Sequence, residues 1–209
     1  MNGPRWQRRS KDRPGEICAA ALEVFAEKGF AAARLDEIAR RSGVSKGTLY
    51  LYFNDKADLF RAVVREAVVP NLSFASPPAD SHPAGFSDRV RALLVRLAEN
   101  AAKLPVGAVA KIVVGESRNF PELARVWHDE VASSALSSVA RLIEEGQRRG
   151  DVRPGDPRLY AFGLIAPLVM GALWQATLVP AGGTPLDLQQ LAAQHANAIL
   201  DGLLQGKEP

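Results

Sequence analysis

Apolar residues recur at intervals of three and four along most of this chain, which is the spacing of a helix face. The clearest case is residues 34–56, where two short segments each have one apolar side. Their inward positions are Leu35, Ile38, Ala39 and Ser42, then Leu49 and Phe53. Between them, Gly43 can adopt the left-handed conformation that ends a helix, and Ser45 can cap the next one. The stretch predicts two short helices joined by a tight turn.

The same spacing predicts helices before and after this pair. Residues 106–114 are ambiguous because their β-branched residues also suit a strand, but no partner strand is evident, so we predict a helix. Asp55 with Asp58, Asp156 with Pro157, and Thr184 with Pro185 are typical helix starts. The further predicted helices run from Pro14 to Gly29, Asp55 to Pro70, Phe86 to Pro105, Val106 to Val114, Pro121 to Gly150, and over 157–179 and 186–205. The fold class is therefore all-α, with about nine helices.

The second helix of the pair presents polar chemistry outward. Lys46 and Tyr50 are four residues apart on one face, with Thr48 and Tyr52 beside them. A cation, a hydroxyl and two phenols suit a phosphate backbone and a base edge. The alternative is the solvated face of an ordinary helical hairpin, and the spacing alone does not decide between the two.

The charge distribution favours a polyanion partner at the amino-terminal end. Residues 1–65 carry 13 Lys and Arg against 8 Asp and Glu, whereas residues 66–209 carry 13 against 15. We predict that residues 1–13, which include five basic residues, form a flexible arm that either contacts phosphate or is simply a solvated tail.

Other functional classes receive less support. Cys18 is the only cysteine, so no intramolecular disulfide is possible, and we expect it to be a packing residue. The three histidines lack metal-ligand spacing, and Glu116 and the pair His128–Asp129 are isolated polar groups, so we predict no enzyme, metal or cofactor. The amino terminus lacks the apolar run of a secretory signal.

One segment raises the possibility of a membrane protein. No charged residue lies between Arg158 and Asp187, and 159–179 is long and apolar enough to span a bilayer. A buried or subunit-interface helix is favoured instead, because the segment contains Pro167 and two glycines and has no cluster of basic residues at either end.

Three blocks resemble the TetR family of bacterial repressors: ALEVFAEKGF at 21–30, IARRSGVSKGTLYLYF at 38–53 and DKADLF at 55–60. The resemblance covers residues 14 to about 65. It implies a helix-turn-helix three-helix domain at 14–62, followed by a helical ligand-binding and dimerisation domain at 63–209. It also implies a cytoplasmic homodimer that binds a palindromic double-stranded DNA operator.

The resemblance assigns functional positions in both domains. The implied DNA-binding residues are Arg34, Ser45, Lys46, Gly47, Thr48, Tyr50, Tyr52 and Lys56. Lys56 falls at a phosphate-contacting position. Arg34 departs from the family, which often has a capping Thr or Ser there. A cap of about 1 kcal/mol is lost, and we expect Arg34 to be able to contact phosphate instead.

The carboxy-terminal domain is implied to bind a small apolar effector and to form the dimer through helices 157–179 and 186–205. The richest candidates for effector contacts are Phe120, Trp127, His128, Phe162, Met170 and Trp174. For each, the alternative is an ordinary core residue, and Trp174 is also a candidate for the dimer interface.

Overall fold

The computed structural model describes residues 5–69 and 85–204. The helices are α1 Arg5–Ala32, α2 Leu35–Arg41, α3 Lys46–Tyr52, α4 Lys56–Ala67, α5 Phe86–Lys103, α6 Val106–Glu116, α7 Pro121–Trp127, α8 Ser133–Arg149, α9 Pro157–Thr177 and α10 Leu188–Leu203. A π-helical turn, His128–Ala132, joins α7 to α8 without a break, so the predicted single helix from Pro121 is confirmed. Counted that way, the described residues form nine α-helices and no strand, which confirms the all-α prediction.

Two predicted helix starts are wrong. The first helix begins at Arg5, and Pro14 lies inside it, so residues 5–13 are helical, while 1–4 lie outside the described residues. The Arg- and Lys-rich segment before Pro14 favours helix, and the helix continues through the proline although an interior proline loses a hydrogen bond and costs about 3 kcal/mol. The last helix begins at Leu188, capped by Asp187, whose Oδ1 accepts from Gln189 N at 2.9 Å. The predicted Thr184–Pro185 start is not used.

The chain divides into two compact units. Unit 1 comprises Met1–Pro70 and Val109–Glu130, and unit 2 comprises Asn71–Ala108 and Val131–Pro209. The predicted division at residues 62 and 63 did not anticipate that 109–130 would belong with the amino-terminal helices. The pairing reflects packing between α4 and α7 within unit 1.

Unit 1 is organised around a cluster of three phenylalanines. Phe25, Phe30 and Phe60 are almost completely buried, with ring centroids 5.4 to 5.9 Å apart. They join α1 to α4, and such ring pairs add to the free energy of burial. The buried Ile38 and Leu49 attach α2 and α3 to this core.

Unit 2 packs α5, α8, α9 and α10 around one apolar core that includes Leu94, Ile143, Leu164 and Leu200. Close approach is visible at Gly171, where a Cβ would lie 2.7 Å from a methyl of Leu188. The absence of a side chain at Gly171 therefore lets α9 and α10 approach closely at this point of the core.

Helix α9 buries one side and exposes the other. Its inner side includes Ala161, Leu164 and Leu168, whereas Phe162 and Met170 are 61% and 60% exposed. By length and composition, 157–181 is the described segment able to cross a bilayer, with a mean hydropathy of 1.7. Only 22% of its most apolar stretch is buried, so an apolar face remains uncovered in the single chain, and the subunit-interface alternative stays a prediction.

Candidate nucleic-acid interface

Helices α2 and α3 form the predicted helix-turn-helix. Gly43 has a φ of 70°, in the left-handed region, and Val44 N donates to Ala39 O at 3.0 Å. Ser45 Oγ accepts from Thr48 N at 3.0 Å, which is the predicted cap. Leu49 is fully buried and Phe53 nearly so. The inward positions Ile38, Ala39, Leu49 and Phe53 are therefore confirmed, whereas Leu35 and Ser42 are only partly buried.

The outward positions of α3 form the exposed surface of the pair. Of the eight predicted DNA-binding residues, Thr48 and Lys56 are half-buried. The other six are exposed: Arg34, Ser45, Lys46, Gly47, Tyr50 and Tyr52. Leu51, which sequence reasoning did not single out, is 83% exposed. Leu51 is two residues from both Leu49 and Phe53, so helical spacing places it on the opposite side of α3. Its exposure could therefore have been predicted from the sequence. Two phenols and one large apolar side chain therefore lie on the surface of a seven-residue helix.

Lys46 has an ion-pair partner in this structure. Its Nζ lies 2.8 Å from Asp36 Oδ1, and both side chains are at least half exposed. The hydrogen bond that Lys46 donates to Asp36 is the main cause that raises the pKa of Lys46, and the same bond lowers the pKa of Asp36. Because solvent screens an exposed ion pair and leaves it little net stabilisation, exchanging Asp36 for a phosphate oxygen costs little.

The start of α2 lacks a side-chain cap, as predicted. Arg34 is the N-cap in an extended conformation, and its side chain makes no capping hydrogen bond. A network of charged side chains fixes the position of α2 instead. Arg41 donates to both oxygens of Glu27, at 2.9 and 2.6 Å, and to Glu37 at 2.9 Å. Lys28 reaches the second oxygen of Glu37 at 2.6 Å. These contacts tie α2 to the end of α1.

Lys56 is placed differently from the other cations. Its Nζ donates to the carbonyl oxygens of Phe30, Ala31 and Ala33, at 2.6, 3.0 and 3.2 Å. It also lies 4.6 Å from the centroid of the Phe30 ring. Burial lowers the pKa of Lys56, while the nearby Glu116 opposes that shift. Its phosphate contact stays a prediction, and it requires Nζ to leave these carbonyls.

A polar cleft lies beside the amino-terminal end of α3. It has a volume of about 350 Å³ and is lined by Arg13, Glu16, Gly43, Val44, Ser45 and Thr48. Arg13, the last residue of the segment predicted to be a basic arm, therefore lies beside the amino-terminal end of α3.

The six predicted effector contacts divide between the two units. Phe120, Trp127 and His128 belong to unit 1, whereas Phe162, Met170 and Trp174 belong to unit 2. The Phe120 ring packs on Phe30 with centroids 5.0 Å apart. Trp174 Nε1 donates to Thr184 O at 2.9 Å, and Phe162 and Met170 face outward. Their role in binding an effector stays a prediction.

A capped helix-turn-helix with an exposed basic and aromatic second helix defines this chain as a DNA-binding protein. Residues 17–63 match the family model described as bacterial regulatory proteins, tetR family. Residues 86–199 match the tetracyclin repressor-like, C-terminal domain. The chain belongs to the TetR family of transcriptional regulators.

Similar proteins are also regulators. The uncharacterized HTH-type transcriptional regulator YhgD of Bacillus subtilis (strain 168) is 26% identical over 171 residues, which cover 75% of this chain and 80% of YhgD. The HTH-type transcriptional repressor BepR of Brucella suis biovar 1 (strain 1330) is 28% identical over 152 residues, 69% of this chain and 73% of BepR. The structure of the flavonoid-responsive regulator FrrA is similar with a TM-score of 0.68 and 25% identity, covering 93% of this chain and 98% of FrrA.

Proposed function

We propose that this TetR-family regulator is a cytoplasmic homodimeric repressor that binds a palindromic operator and is released by a small apolar effector. The observation that carries the proposal is the exposed surface of α3, with Lys46, Tyr50, Leu51 and Tyr52 arranged around a buried Leu49. A helix that buries one residue and exposes its aromatic side chains has the form of a major-groove recognition helix.

The proposed roles follow from the chemistry of each side chain. Lys46 neutralises phosphate after leaving Asp36, and the hydroxyls of Thr48 and Tyr52 donate to phosphate oxygens. Gly47 lets the backbone approach the duplex closely. Tyr50 and Leu51 are suited to base edges, because an apolar surface fits a thymine methyl and a phenol can bond a base.

Dimer formation is supported by the outward face of α9. Leu159, Phe162 and Met170 are all more than half exposed and recur at helical spacing. A continuous apolar face of this kind is typical of an interface, and a second copy of the chain would cover it with α9 and α10 in a four-helix arrangement. A twofold dimer places two recognition helices about one DNA turn, ~34–36 Å, apart or a multiple of that.

The membrane alternative rests on the same apolar helix. Elution without detergent as a dimer would remove it and support the uncovered face as an interface. A monomer at micromolar concentration would contradict the dimer. Membership in a family of soluble regulators already favours the dimer.

Repression and effector release are supported by the relatives. BepR is named as a repressor and FrrA as flavonoid-responsive. An effector acts on this chain only if it binds the conformation unable to hold DNA more tightly than the one that holds it. Screening apolar and aromatic compounds for release of bound DNA tests this part of the proposal.

The DNA-contact assignment is tested with Tyr50 variants on the preferred site and on its single-base-pair variants. We expect Tyr50→Ala to reduce discrimination at one or two positions by about 1–3 kcal/mol. Tyr50→Phe keeps the ring and therefore separates ring contact from hydroxyl bonding. If Tyr50→Ala weakens binding to every sequence equally, Tyr50 does not specify a base.

A further inference from the structure

The junction between α1 and α2 has an unusual conformation. Regular helix geometry in α1 is interrupted at Gly29, with φ 77° and ψ 169°, and residues 30–32 form one more turn before α2. We call Gly29–Ala33 the junction turn. Because the break at Gly29 ends the hydrogen-bond ladder of α1, the first N–H groups after it need acceptors from elsewhere.

Glu116 at the end of α6 supplies those acceptors. One carboxylate oxygen accepts from Phe30 N and the other from Ala31 N, the latter at 2.8 Å. Glu116 is 85 residues further along the chain than Ala31, within unit 1. The interpretation of Glu116 as an isolated polar group was therefore wrong.

The carboxylate fits against the junction turn closely. A Cβ built on Gly29 would lie 2.5 Å from Glu116 Oε1. Glycine is thus needed at position 29 both for its positive φ and for the space that the carboxylate occupies.

Lys56 holds the other end of the same turn. Its ammonium donates to the carbonyl oxygens of Phe30, Ala31 and Ala33. An anion on the N–H side and a cation on the carbonyl side match the direction of the peptide dipoles. The turn is therefore held electrostatically from both ends.

Glu116 also orients a neighbouring ring. Its backbone carbonyl accepts from Phe120 N at 2.9 Å, and the Phe120 ring packs edge to face on Phe30. Phe30 belongs both to the junction turn and to the buried cluster of unit 1. The side chain of Glu116 therefore contacts the turn directly, and its backbone contacts Phe120, which packs on the same turn. Arg34, the N-cap of α2, follows directly after it.

We propose that Glu116 is a positioning residue for DNA recognition: it holds the junction turn, and through it the start of α2, in the arrangement that presents α3 to DNA. The proposal rests on the proposed function. Glu116 need not touch DNA, and its negative charge by itself opposes DNA binding.

Because the negative charge of Glu116 opposes DNA binding, charge removal and loss of positioning should change the DNA affinity in opposite directions. Removing a carboxylate should leave DNA binding unchanged or strengthen it slightly, because the chain becomes less negative. Glu144→Gln, at an exposed carboxylate on α8 in unit 2, is the matched control for this effect. Glu116→Gln removes the same charge but keeps one acceptor oxygen, and Glu116→Ala removes both.

We expect Glu116→Ala to bind the preferred site about ten-fold more weakly, the equivalent of one lost charge-assisted hydrogen bond. Glu116→Gln should lose roughly three-fold, and Glu144→Gln should lose nothing. Binding to unrelated duplex should not weaken, and the slope of log K against log salt should stay the same, because no phosphate contact is removed. A purely structural role would lower thermal stability without changing the ratio of specific to non-specific affinity in the folded protein.

Amide hydrogen exchange supplies a second measurement for variants of low stability. Exchange at Phe30 and Ala31 should accelerate in Glu116→Gln, while Val24 in the interior of α1 should be unaffected. If Glu116→Gln leaves the affinity and both exchange rates at wild-type values, Glu116 does not position the turn. If the wild-type chain selects no DNA sequence, the proposed function fails, and this inference fails with it. If the wild type selects a site and Glu116→Ala binds it equally well, only this inference fails.

Discussion

Replacing Lys56 with methionine separates the two roles open to this side chain. Methionine keeps most of the apolar stem and removes the ammonium group that contacts three carbonyl oxygens and the Phe30 ring. If the contacts in the structure are its main role, the variant loses stability. If phosphate contact is its main role, the variant loses DNA affinity and salt dependence.

The magnitude follows from those contacts. A hydrogen bond to a charged group contributes about 1.5–3 kcal/mol net, and burial of the ammonium, which lowers the pKa of Lys56, offsets part of the sum. We therefore expect a loss of about 2 kcal/mol. For a chain of this size, that corresponds to a fall of about 4–8 °C in Tm.

The assay combines thermal unfolding with DNA binding at several salt concentrations. Lys46→Met is the control, because the exposed pair of Lys46 with Asp36 contributes little to stability. We expect Lys46→Met to keep its Tm and to flatten the salt slope by about 0.9 for each subunit of the dimer. A Lys56→Met variant that keeps its Tm but flattens the slope by that amount would refute the reasoning from the structure and support the phosphate contact predicted from the sequence.

Two further predictions concern the core of unit 1. Phe60→Ala should lower the free energy of unfolding by about 3–5 kcal/mol, because a fully buried ring is replaced by a cavity; a loss below about 1 kcal/mol in urea unfolding would show that the cluster collapses to fill it. Cys18 should react slowly with iodoacetamide from about pH 7 to 9 in the folded protein, because burial and then Glu66 raise the pKa of its thiol to about 12. Fast labelling near pH 8 without denaturant would contradict this.

The features that could be predicted from sequence act over short distances. Gly43, Ser45 and Asp55 each end or cap a helix through backbone groups within about four residues, so their residue types were sufficient. The division of α3 into buried Leu49 and exposed Tyr50 followed from helical spacing. Exposed Leu51 could have been included by the same argument.

The contacts that sequence could not predict join distant segments. Lys56 reaches carbonyls 23 to 26 residues away, and Glu116 reaches amides 85 and 86 residues away. Spacing along one chain contains no information about such pairs. The same limit explains why 109–130 were not assigned to the amino-terminal unit.

The start of α10 shows how hydrogen bonds from the preceding helix override a local signal. Thr184–Pro185 and Asp187 are both acceptable helix starts. Trp174 donates to Thr184 O, and Gln175 Nε2 donates to Leu186 O at 2.8 Å. These bonds hold Thr184–Leu186 outside the helix, and Asp187 becomes the cap.

Selection of bound sequences from random duplex DNA tests the central claim most directly. Sequence-specific binding by a twofold dimer predicts enrichment of an inverted repeat, with half-sites about one helical turn or a multiple of it apart. Sequencing of DNA retained by the wild-type chain shows whether such a repeat exists. No enriched sequence, or a single asymmetric half-site, would contradict the account.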